Sequence, residues 1–387
     1  MKPADTTPAI DVLLLAAGLG TRLAPLTQQI PKALLPVCGL PMLDYHLALI
    51  RTLSTPPIRR IVVNGHHLAA QVRDHLDAVA PLLGLRRCAV GDAGVRPVGA
   101  EECGGPRADQ DDIAAPLGTS GLLAFSHEPV ILGTGGALVK AAGCLRSDPC
   151  VMLNADAFFP APIAEAVAFH RASTFTATMV LTPAPFWPNV LVKDHAVTGI
   201  LRGKRDPRGF TFTGLHVISQ SLFEHLPAEG FCDIRDPYEP LMAAGRLGAF
   251  IWPEAGPAPA FLDIGTPEAY LEAHRQCADP GDPLAGIRAA ATRLGLGTPP
   301  GKGAGGPHQS GDGATRVVSG RYGYVDPRAE IGADAVIAES VVLPGAEVAP
   351  GAEIRHAIIG PGARVHGVVK DSLVTTLGNR ELGSRGE

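Results

Sequence analysis

The sequence predicts an α/β protein with a mostly parallel, Rossmann-like sheet and helices on both faces, followed by a short C-terminal parallel β-helix. Strand-like and helical patterns alternate through the first two thirds of the chain, which is typical of parallel sheets. A stretch rich in Gly, Pro, Thr and Ser at 295–320 then indicates a linker. After it, aliphatic residues recur at steps near six, a repeat that predicts a triangular coil.

The strand-like runs are short and apolar, and helical spacing follows most of them. Ligands of such sheets bind beyond the carboxyl ends of the strands, where the turns after Ala17 and around Asn154 would lie. We predict strands at 12–17, 58–64, 150–154 and 176–181, and helices at 42–53, 68–76, 137–142 and 162–170.

The repeat after the linker covers about 45 residues, or two to three coils. Aliphatic residues would point inward, while glycines and small residues turn the corners. Because so short a stack leaves open ends, we expect it to pack on the main domain or on another subunit, the latter giving a homo-oligomer. The repeat units are Ile331-Gly332, Leu343-Pro344-Gly345, Ala349-Pro350-Gly351 and Ile359-Gly360-Pro361-Gly362.

These patterns divide the chain into a main α/β domain at 1–280, a linker at 281–322, a β-helix at 323–375 and a tail at 376–387. Within the first domain, 91–120 is rich in Gly, Ala, Pro and Asp and indicates a surface insertion.

Composition narrows the functional classes. The 387 residues carry a net charge of −5 without a dense basic patch, which argues against a general nucleic-acid binder. Seven cysteines without a CxxC pair indicate reduced thiols in a cytoplasmic protein, with neither a zinc site nor a disulfide framework. No stretch reaches the roughly 20 apolar residues of a membrane span, and the apolar run at 12–17 is too short for a signal peptide.

The most informative stretch runs from 12 to 41, VLLLAAGLGTRLAPLTQQIPKALLPVCGLP. A glycine turn that leaves a buried strand lets backbone N–H groups approach an anion. Arg22 adds a planar guanidinium and Lys32 a compact ammonium group, two cations of different geometry. The stretch is not a Walker motif, because no Gly-Lys-Ser/Thr follows. It is not a dinucleotide fingerprint either, because Leu23 stands where the third glycine would be. It suits a nucleoside triphosphate.

LAAGLGTRLAPLT followed by PKALLPVCGLPMLDY closely resembles the signature of the sugar-1-phosphate nucleotidyltransferases, the nucleoside-diphosphate-sugar pyrophosphorylases. Many of these carry a left-handed parallel β-helix, which the C-terminal repeat resembles. The resemblance implies that Arg22 and Lys32 neutralise a triphosphate and the departing pyrophosphate. It also implies nucleotide contacts from Leu15, Ala16, Ala17, Gly18, Gly20 and Thr21.

Two aspartates stand in motifs that resemble the metal site of the family. Asp156 ends the run Leu153-Asn154-Ala155-Asp156, and Asp263 belongs to Asp-Ile-Gly-Thr-Pro. Carboxylate oxygens suit Mg²⁺, so the resemblance implies that Asp156 and Asp263 together hold one. In isolation each aspartate would more often be a cap or a turn residue. The implied reaction is attack of a sugar 1-phosphate on the α-phosphate of an NTP, and it needs no general base from His66, His67, His170 or His216.

Glu128 stands where uridylyl- and thymidylyl-transferring relatives carry a base-reading Gln, five residues before Gly133 of the turn Gly133-Thr134-Gly135-Gly136. A carboxylate can accept from both N1 and N2 of guanine, so Glu128 favours GTP. A surface Glu beside Pro129 is the plain alternative. We expect Gly133 and Thr134, which open a helix-like run, to contact the nucleotide.

The sugar pocket departs from the family pattern. Ala155 replaces the glycine of Asn-Gly-Asp, and Gly203-Lys204-Arg205 keeps the lysine of Glu-Lys-Pro but not its carboxylate. The later stretches resemble mannose-1-phosphate or heptose-1-phosphate guanylyltransferases, and also the N-acetylmuramate-1-phosphate uridylyltransferases. A uridylyltransferase and a non-catalytic regulatory subunit that binds sugar nucleotides therefore stay open. The expected acceptor-binding residues are Asn154, Ala155, Lys204, Thr213 and Gly214.

Overall fold

The computed structural model describes residues 7–91, 94–97, 121–183, 187–252, 261–279, 281–282, 284–297 and 323–383. By contacts between Cα atoms the chain divides into two compact units. Unit 1 comprises Met1–Gly18 and Leu49–Phe261, and unit 2 comprises Leu19–Ala48 and Leu262–Glu387. These units differ from the sequence-predicted domains, because 19–48 and 262–280 group with the C-terminal repeat.

Unit 1 is built on a single sheet of eleven strands in the order β11-β12-β14-β10-β13-β8-β1-β4-β7-β5-β6. The mostly parallel α/β fold predicted from the alternation is confirmed. The strands are β1 (Ile10–Leu15), β4 (Ile58–Gly65), β5 (Leu85–Gly91), β6 (Gly94–Pro97), β7 (Gly121–His127), β8 (Cys150–Asn154), β10 (Ala177–Thr182), β11 (Val190–Lys193), β12 (Ala196–Ile200), β13 (Thr211–Ile218) and β14 (Leu247–Ile251). Short strand β9 (Ala157–Phe158) lies outside this sheet.

The strands that matter for a ligand run in the same direction. β1 pairs in parallel with β4 and β8, and β4 pairs in parallel with β7. β13 lies antiparallel between β8 and β10, so these two also share that direction. The carboxyl ends of β1, β4, β7, β8 and β10 therefore meet at one edge, here called the ligand edge, together with the start of β13.

Five helices belong to unit 1 wholly or in part: α1 (Met42–Thr52), α2 (Ala69–Val79), α3 (Gly133–Ala141), α4 (Ile163–Arg171) and α5 (Arg235–Ala243). α2 packs on β4 and β7, α3 on β1, and α4 on β10 and β13. The core beneath them is apolar and fully buried, with Leu13, Leu138, Met152 and Tyr238 among its members. Burial of this surface is the main favourable term in folding.

Unit 2 contains the predicted β-helix. Its coil has three faces. On the first face Tyr324 pairs with Val341 and Val341 with Ile358, two steps of 17 residues, and Ile358 pairs with Leu373, a step of 15. The first face is β16 (Tyr324–Val325), β19 (Val341–Val342), β22 (Ile358–Ile359) and β25 (Ser372–Thr375); the second is β17 (Glu330–Ile331), β20 (Glu347–Val348) and β23 (Arg364–Val365); the third is β18 (Val336–Ala338), β21 (Glu353–Arg355) and β24 (Val368–Lys370).

The coil confirms the predicted repeat. It has three complete coils, at the upper end of the two to three expected, and β25 adds a fourth parallel strand to the first face. Buried aliphatic residues such as Ile337, Ile354 and Ile359 fill the interior. Gly345 and Gly362 turn corners with φ near +70° and +64°, a conformation that glycine adopts without steric cost.

Unit 2 also has regular structure where the sequence predicted a linker and a tail. The predicted linker 281–322 contains helix α7 (Ala285–Arg293). The predicted tail 376–387 contains β26 (Gly378–Glu381), which pairs antiparallel with β25. The Gly-rich stretch 298–322 and most of the insertion, 98–120, lie outside the described residues, although 94–97 forms β6 beside β5.

The remaining elements of unit 2 surround the signature segment. They are β2 (Pro36–Val37) and β3 (Leu40–Pro41), β15 (Leu262–Asp263), helix α6 (Pro267–Cys277) and 3₁₀ turns at Thr21–Leu23, Leu26–Gln28 and Lys32–Leu34. α6 packs on β2, where the Tyr270 hydroxyl donates to the Pro36 carbonyl. The ring of Tyr324 of the first coil lies beside that of His274 of α6, with centroids 5.2 Å apart and the planes tilted by 40°. Across the described parts of both units, no helix combines the length and the apolar character that a bilayer span requires.

Candidate active site

The signature loop of unit 2 is shaped by one glycine. Gly20 has φ of +63°, and a Cβ there would lie 2.7 Å from the Thr27 side chain. The Thr27 hydroxyl donates to the Gly20 carbonyl, which closes the loop before the 3₁₀ turn that carries Arg22. Glycine is therefore required for close approach and for a left-handed backbone.

Arg22, Lys32 and Asp263 come together in unit 2. Arg22 Nη2 lies 3.3 Å from Asp263 Oδ2, and Lys32 Nζ lies 3.5 Å from Asp263 Oδ1, across 241 and 231 residues of sequence. The Lys32 side chain is 9% exposed, while those of Arg22 and Asp263 are 63% and 53% exposed. Two cations thus share one carboxylate, and Arg22 and Asp263 both face solvent.

The Asp-Ile-Gly-Thr-Pro motif fixes this cluster. A Cβ on Gly265 would lie 2.3 Å from Arg22 Nη2, so only glycine leaves the guanidinium in its place. Thr266 caps α6 by accepting from the Ala269 amide, and Pro267 opens the helix. The motif thus starts helix α6, as expected for a cap. The same cap fixes the segment that carries Asp263.

In unit 1 a chain of buried hydrogen bonds connects the segments that meet at the ligand edge. The Ala16 amide donates to Asn64 Oδ1 at 2.6 Å, and Asn64 Nδ2 donates to Glu128 Oε1 at 2.7 Å. Glu128 Oε2 in turn accepts from the Leu132 amide at 3.2 Å. The chain links the turn after β1, the end of β4, the end of β7 and the entry to α3.

Asn64 is the functional candidate that sequence reasoning missed. It is 3% exposed and follows the apolar run 61–63 near the end of β4, at the ligand edge. That position was the available signal, since a buried amide needs partners.

Glu128 is also more enclosed than a base-reading residue was expected to be. Its residue exposure is 1%, its amide donates to the Gly65 carbonyl, and its own carbonyl lies 2.7 Å from His66 Nδ1. The plain alternative of a surface Glu is wrong. Its part in base recognition stays a prediction, and any such part would add to the hydrogen bonds that the carboxylate already accepts.

The glycines of Gly133-Thr134-Gly135-Gly136 meet the backbone around Cys232. The Gly135 and Gly136 amides both donate to the Cys232 carbonyl, at 2.9 and 3.2 Å. Thr134 Oγ1 accepts from the Ile234 amide. A Cβ on Gly133 would lie 2.6 Å from the Cys232 oxygen. The glycines thus have a packing reason, and the predicted nucleotide contacts of Gly133 and Thr134 stay predictions.

The predicted acceptor residues cluster where β8 meets β13. A Cβ on Gly214, whose φ is +86°, would lie 2.9 Å from the Asn154 side chain. The Ala155 amide donates to the Leu15 carbonyl, and Ala155 is 1% exposed. The methyl group of Ala155 is therefore buried. Thr213 is buried, and its hydroxyl donates to the Val180 carbonyl. Asp156 follows in the same turn and is partly exposed.

Lys204 lies on the exposed loop that leads into β13, and its part in binding the acceptor stays a prediction. Its neighbour Arg205 stacks over the Trp187 ring, with the guanidinium carbon 3.9 Å from the ring centroid. Such cation–π pairs orient an arginine without neutralising it.

The histidines left without a catalytic role are placed as follows. His170 bonds Thr178 and Ser219, and burial lowers its pKa to about 4. His216 bonds the Tyr238 hydroxyl, and burial lowers its pKa to about 3. Both are neutral near pH 7 and serve the core. His66 meets the Glu128 carbonyl, as described above.

The predicted ligands of the metal ion are the two carboxylates Asp156 and Asp263. Within the described residues no group of three or more His, Cys, Asp or Glu side chains could hold an ion. Mg²⁺ is commonly bound through one or two carboxylates plus substrate phosphates and water. The half-exposed carboxylate of Asp263 and the partly exposed Asp156 fit that mode of binding as separate ligands.

A comparison with known proteins indicates first the class of protein to which this chain is similar. Residues 11–185 match the nucleotidyl transferase family. A crystal structure of a candidate glucose-1-phosphate thymidylyltransferase from Bacillus anthracis aligns with a TM-score of 0.51 and 18% identity, over 69% of this chain and 94% of the other, which supports the fold.

Curated relatives narrow the class. The chain is 26% identical over 271 residues to a mannose-1-phosphate guanylyltransferase of Mycobacterium tuberculosis, covering 68% of this chain and 64% of that one. It is 24% identical over 271 residues to the mannose-1-phosphate guanylyltransferase catalytic subunit beta of Xenopus tropicalis, covering 67% and 62%. The chain thus spans a little under two thirds of the length of these relatives. The chain is therefore similar to sugar-1-phosphate nucleotidyltransferases in sequence, over residues 11–185 for the family and over 271 residues for these relatives.

Proposed function

We propose that this protein transfers a nucleotidyl group from an NTP, with GTP favoured, to a sugar 1-phosphate. An oxygen of the sugar phosphate attacks the α-phosphorus and forms the new P–O bond. The bond from that phosphorus to the bridging oxygen of the β-phosphate breaks, and pyrophosphate leaves. Because the nucleophile is already ionised near neutral pH, the barrier lies in bringing two anions together in line.

The observation that carries this proposal is the Arg22, Lys32 and Asp263 cluster. Arg22 and Lys32 lie 231 residues or more from Asp263 in the sequence, yet both side chains contact its carboxylate, and Arg22 faces solvent. In the proposed reaction Arg22 and Lys32 bind the triphosphate and stabilise the charge that develops on pyrophosphate. A carboxylate between them keeps both side chains in place when no phosphate is bound.

Asp156 and Asp263 are the carboxylates that we propose hold Mg²⁺. This pairing rests on the sequence motifs, since the two residues belong to different units. A bound Mg²⁺ would neutralise phosphate charge and orient the reacting groups.

The preference for GTP is supported by relatives named mannose-1-phosphate guanylyltransferases. Glu128 could add to it by accepting from guanine. The six described cysteines are all free, which fits the proposed cytoplasmic setting.

The test is pyrophosphate release by purified protein with Mg²⁺, a panel of four NTPs, and sugar 1-phosphates that include mannose, glucose and N-acetylmuramate derivatives. Release with GTP above all others supports the proposal. Release with UTP alone favours the uridylyltransferase alternative. Binding of sugar nucleotides without release from any pair favours a regulatory subunit and rejects the enzyme.

A further inference from the structure

The last hairpin of the β-helix touches the signature loop. β25 and β26 pair antiparallel, with Leu373 opposite Arg380, and the chain turns at Thr376 and Leu377. Arg380 Nη1 donates to the Arg22 carbonyl at 2.5 Å and to the Ala24 carbonyl at 3.4 Å. These carbonyls end the 3₁₀ turn Thr21–Leu23, where a cation is favoured by unpaired oxygens.

Two more hydrogen bonds fasten the same hairpin. Gln29 Nε2 donates to Thr376 Oγ1 at 2.6 Å, and the Gly383 amide donates to Glu268 Oε1 at 3.2 Å. Burial alone would raise the pKa of Glu268, but its own backbone amide, Thr266 and Gly383 donate to the carboxylate and, with the charge of Arg380, lower it. Glu268 is in the first turn of α6, five residues after Asp263.

We propose that Arg380 is a positioning residue for Arg22, so that the C-terminal hairpin is part of the active centre. The proposal rests on the proposed function, in which Arg22 binds the triphosphate. The Arg22 side chain is held at its tip by Asp263 and bounded by Gly265, while its backbone is held by Arg380. Without the hairpin, no described side chain donates to the Arg22 and Ala24 carbonyls. The backbone from which the Arg22 side chain extends would then be held less firmly.

Arg380 makes a contact that a lysine could not fully replace. Arg380 uses a guanidinium nitrogen to reach two carbonyls of one turn, a geometry that a lysine ammonium reproduces only in part. Arg380 is exposed, so its removal leaves no buried charge and should not unfold the coil. The expected effect is therefore on the position of Arg22 and not on overall stability.

The experiment compares Arg380→Ala and Arg380→Lys with Arg364→Ala. Arg364 is a matched control, since it is an exposed arginine of the same coil that pairs only with Glu347 among the described contacts. We expect Arg380→Ala to lower kcat/KM for the NTP about ten-fold, because small misplacements of a binding group are costly. KM for the sugar 1-phosphate and the melting temperature should stay at wild-type values. Arg380→Lys should fall between, and Arg364→Ala should match the wild type.

Hydrogen exchange supplies a readout that needs no turnover. The Leu23 and Ala24 amides donate to the Gly20 and Thr21 carbonyls within the turn. Their exchange should accelerate in Arg380→Ala and stay unchanged in Arg364→Ala. A wild-type protein that releases no pyrophosphate from any NTP rejects the proposed function, and exchange still decides this inference. Unchanged exchange, or full activity of Arg380→Ala in an active enzyme, overturns the positioning role.

Discussion

At the scale of single residues, a shared carboxylate organises the proposed phosphate site. Asp263 pairs with Arg22 and Lys32 at 3.3 and 3.5 Å, and Gly265 leaves space for the guanidinium. Exposed ion pairs of this kind contribute little to stability. We propose that they hold the two cations ready for an anionic ligand, which in the proposed reaction is the triphosphate.

Asp156→Asn should abolish turnover while leaving the fold intact. The change removes an anionic ligand that hard cations prefer and keeps the size of the side chain. Pyrophosphate release at saturating Mg²⁺ measures the effect, and Asp74→Asn, at an exposed aspartate paired with Arg73, serves as the control. Turnover within a few-fold of the wild type would count against Asp156 as a ligand.

Glu128→Gln should weaken the preference for GTP over UTP and also lower stability. Both carboxylate oxygens accept hydrogen bonds, from Asn64 and Leu132, and an amide nitrogen would face one of these donors. An unsatisfied buried group costs about 1–3 kcal/mol. Urea unfolding and the ratio of GTP to UTP turnover separate the two roles, with Glu165→Gln on the exposed side of α4 as control.

A loss of stability with an unchanged nucleotide ratio would leave Glu128 a structural residue. An unchanged stability would contradict the hydrogen-bonded chain from Ala16 through Asn64.

At the scale of elements, the entry to α3 depends on close backbone packing. The Gly135 and Gly136 amides share the Cys232 carbonyl, and a Cβ on Gly136 would lie 2.4 Å from the Gly230 oxygen. The glycine run predicted a nucleotide-binding turn, and the structure adds a packing requirement that no local pattern contains. The same reasoning applies to Gly214 against Asn154.

Gly136→Ala should destabilise unit 1 by about 1–3 kcal/mol, because overpacking against backbone cannot be relieved by a rotamer change. Gly143→Ala, at a position with nothing within 4 Å, should be neutral or slightly stabilising. Thermal and urea unfolding of the two variants provide the comparison. Equal stabilities would show that the Gly230 segment yields without cost.

At the scale of the whole molecule, buried neutral histidines make stability depend on pH. Burial lowers the pKa of His170 to about 4, and those of His216 and His274 to about 3, from an ordinary value of 6.5. The unfolded chain therefore binds these protons first. Stability is fully present above pH 6.5 and is lost as pH falls below it.

Each of these histidines should contribute a slope of up to about 1.4 kcal/mol per pH unit below pH 6.5. Urea unfolding between about pH 7 and pH 5, where most carboxylates stay ionised, measures the slope. His170→Gln should flatten it by the share of one histidine, with lower stability throughout, since Thr178 and Ser219 lose partners. A free energy of unfolding that is flat over this window would contradict neutral burial.

Much of the fold was predictable from sequence. The strands 58–64 and 150–154 and the helices 42–53 and 162–170 were placed within about two residues, because their apolar spacing is local. The antiparallel insertion of β13, helix α7 and hairpin strand β26 were not predicted. Each depends on which segments meet in space, and spacing along the chain does not record that.

The sequence by itself indicated the family that the chain resembles and its candidate chemistry, since the glycine turn with Arg22 and Lys32 lies in one contiguous stretch that can be recognised without knowing its contacts. Only the tertiary structure decided what those residues touch. It joined Asp263 to both cations, Asn64 to Glu128, and Arg380 to the Arg22 backbone. The physical reason is that hydrogen bonds and ion pairs act over a few ångströms, while the partners lie up to 358 residues apart in the chain.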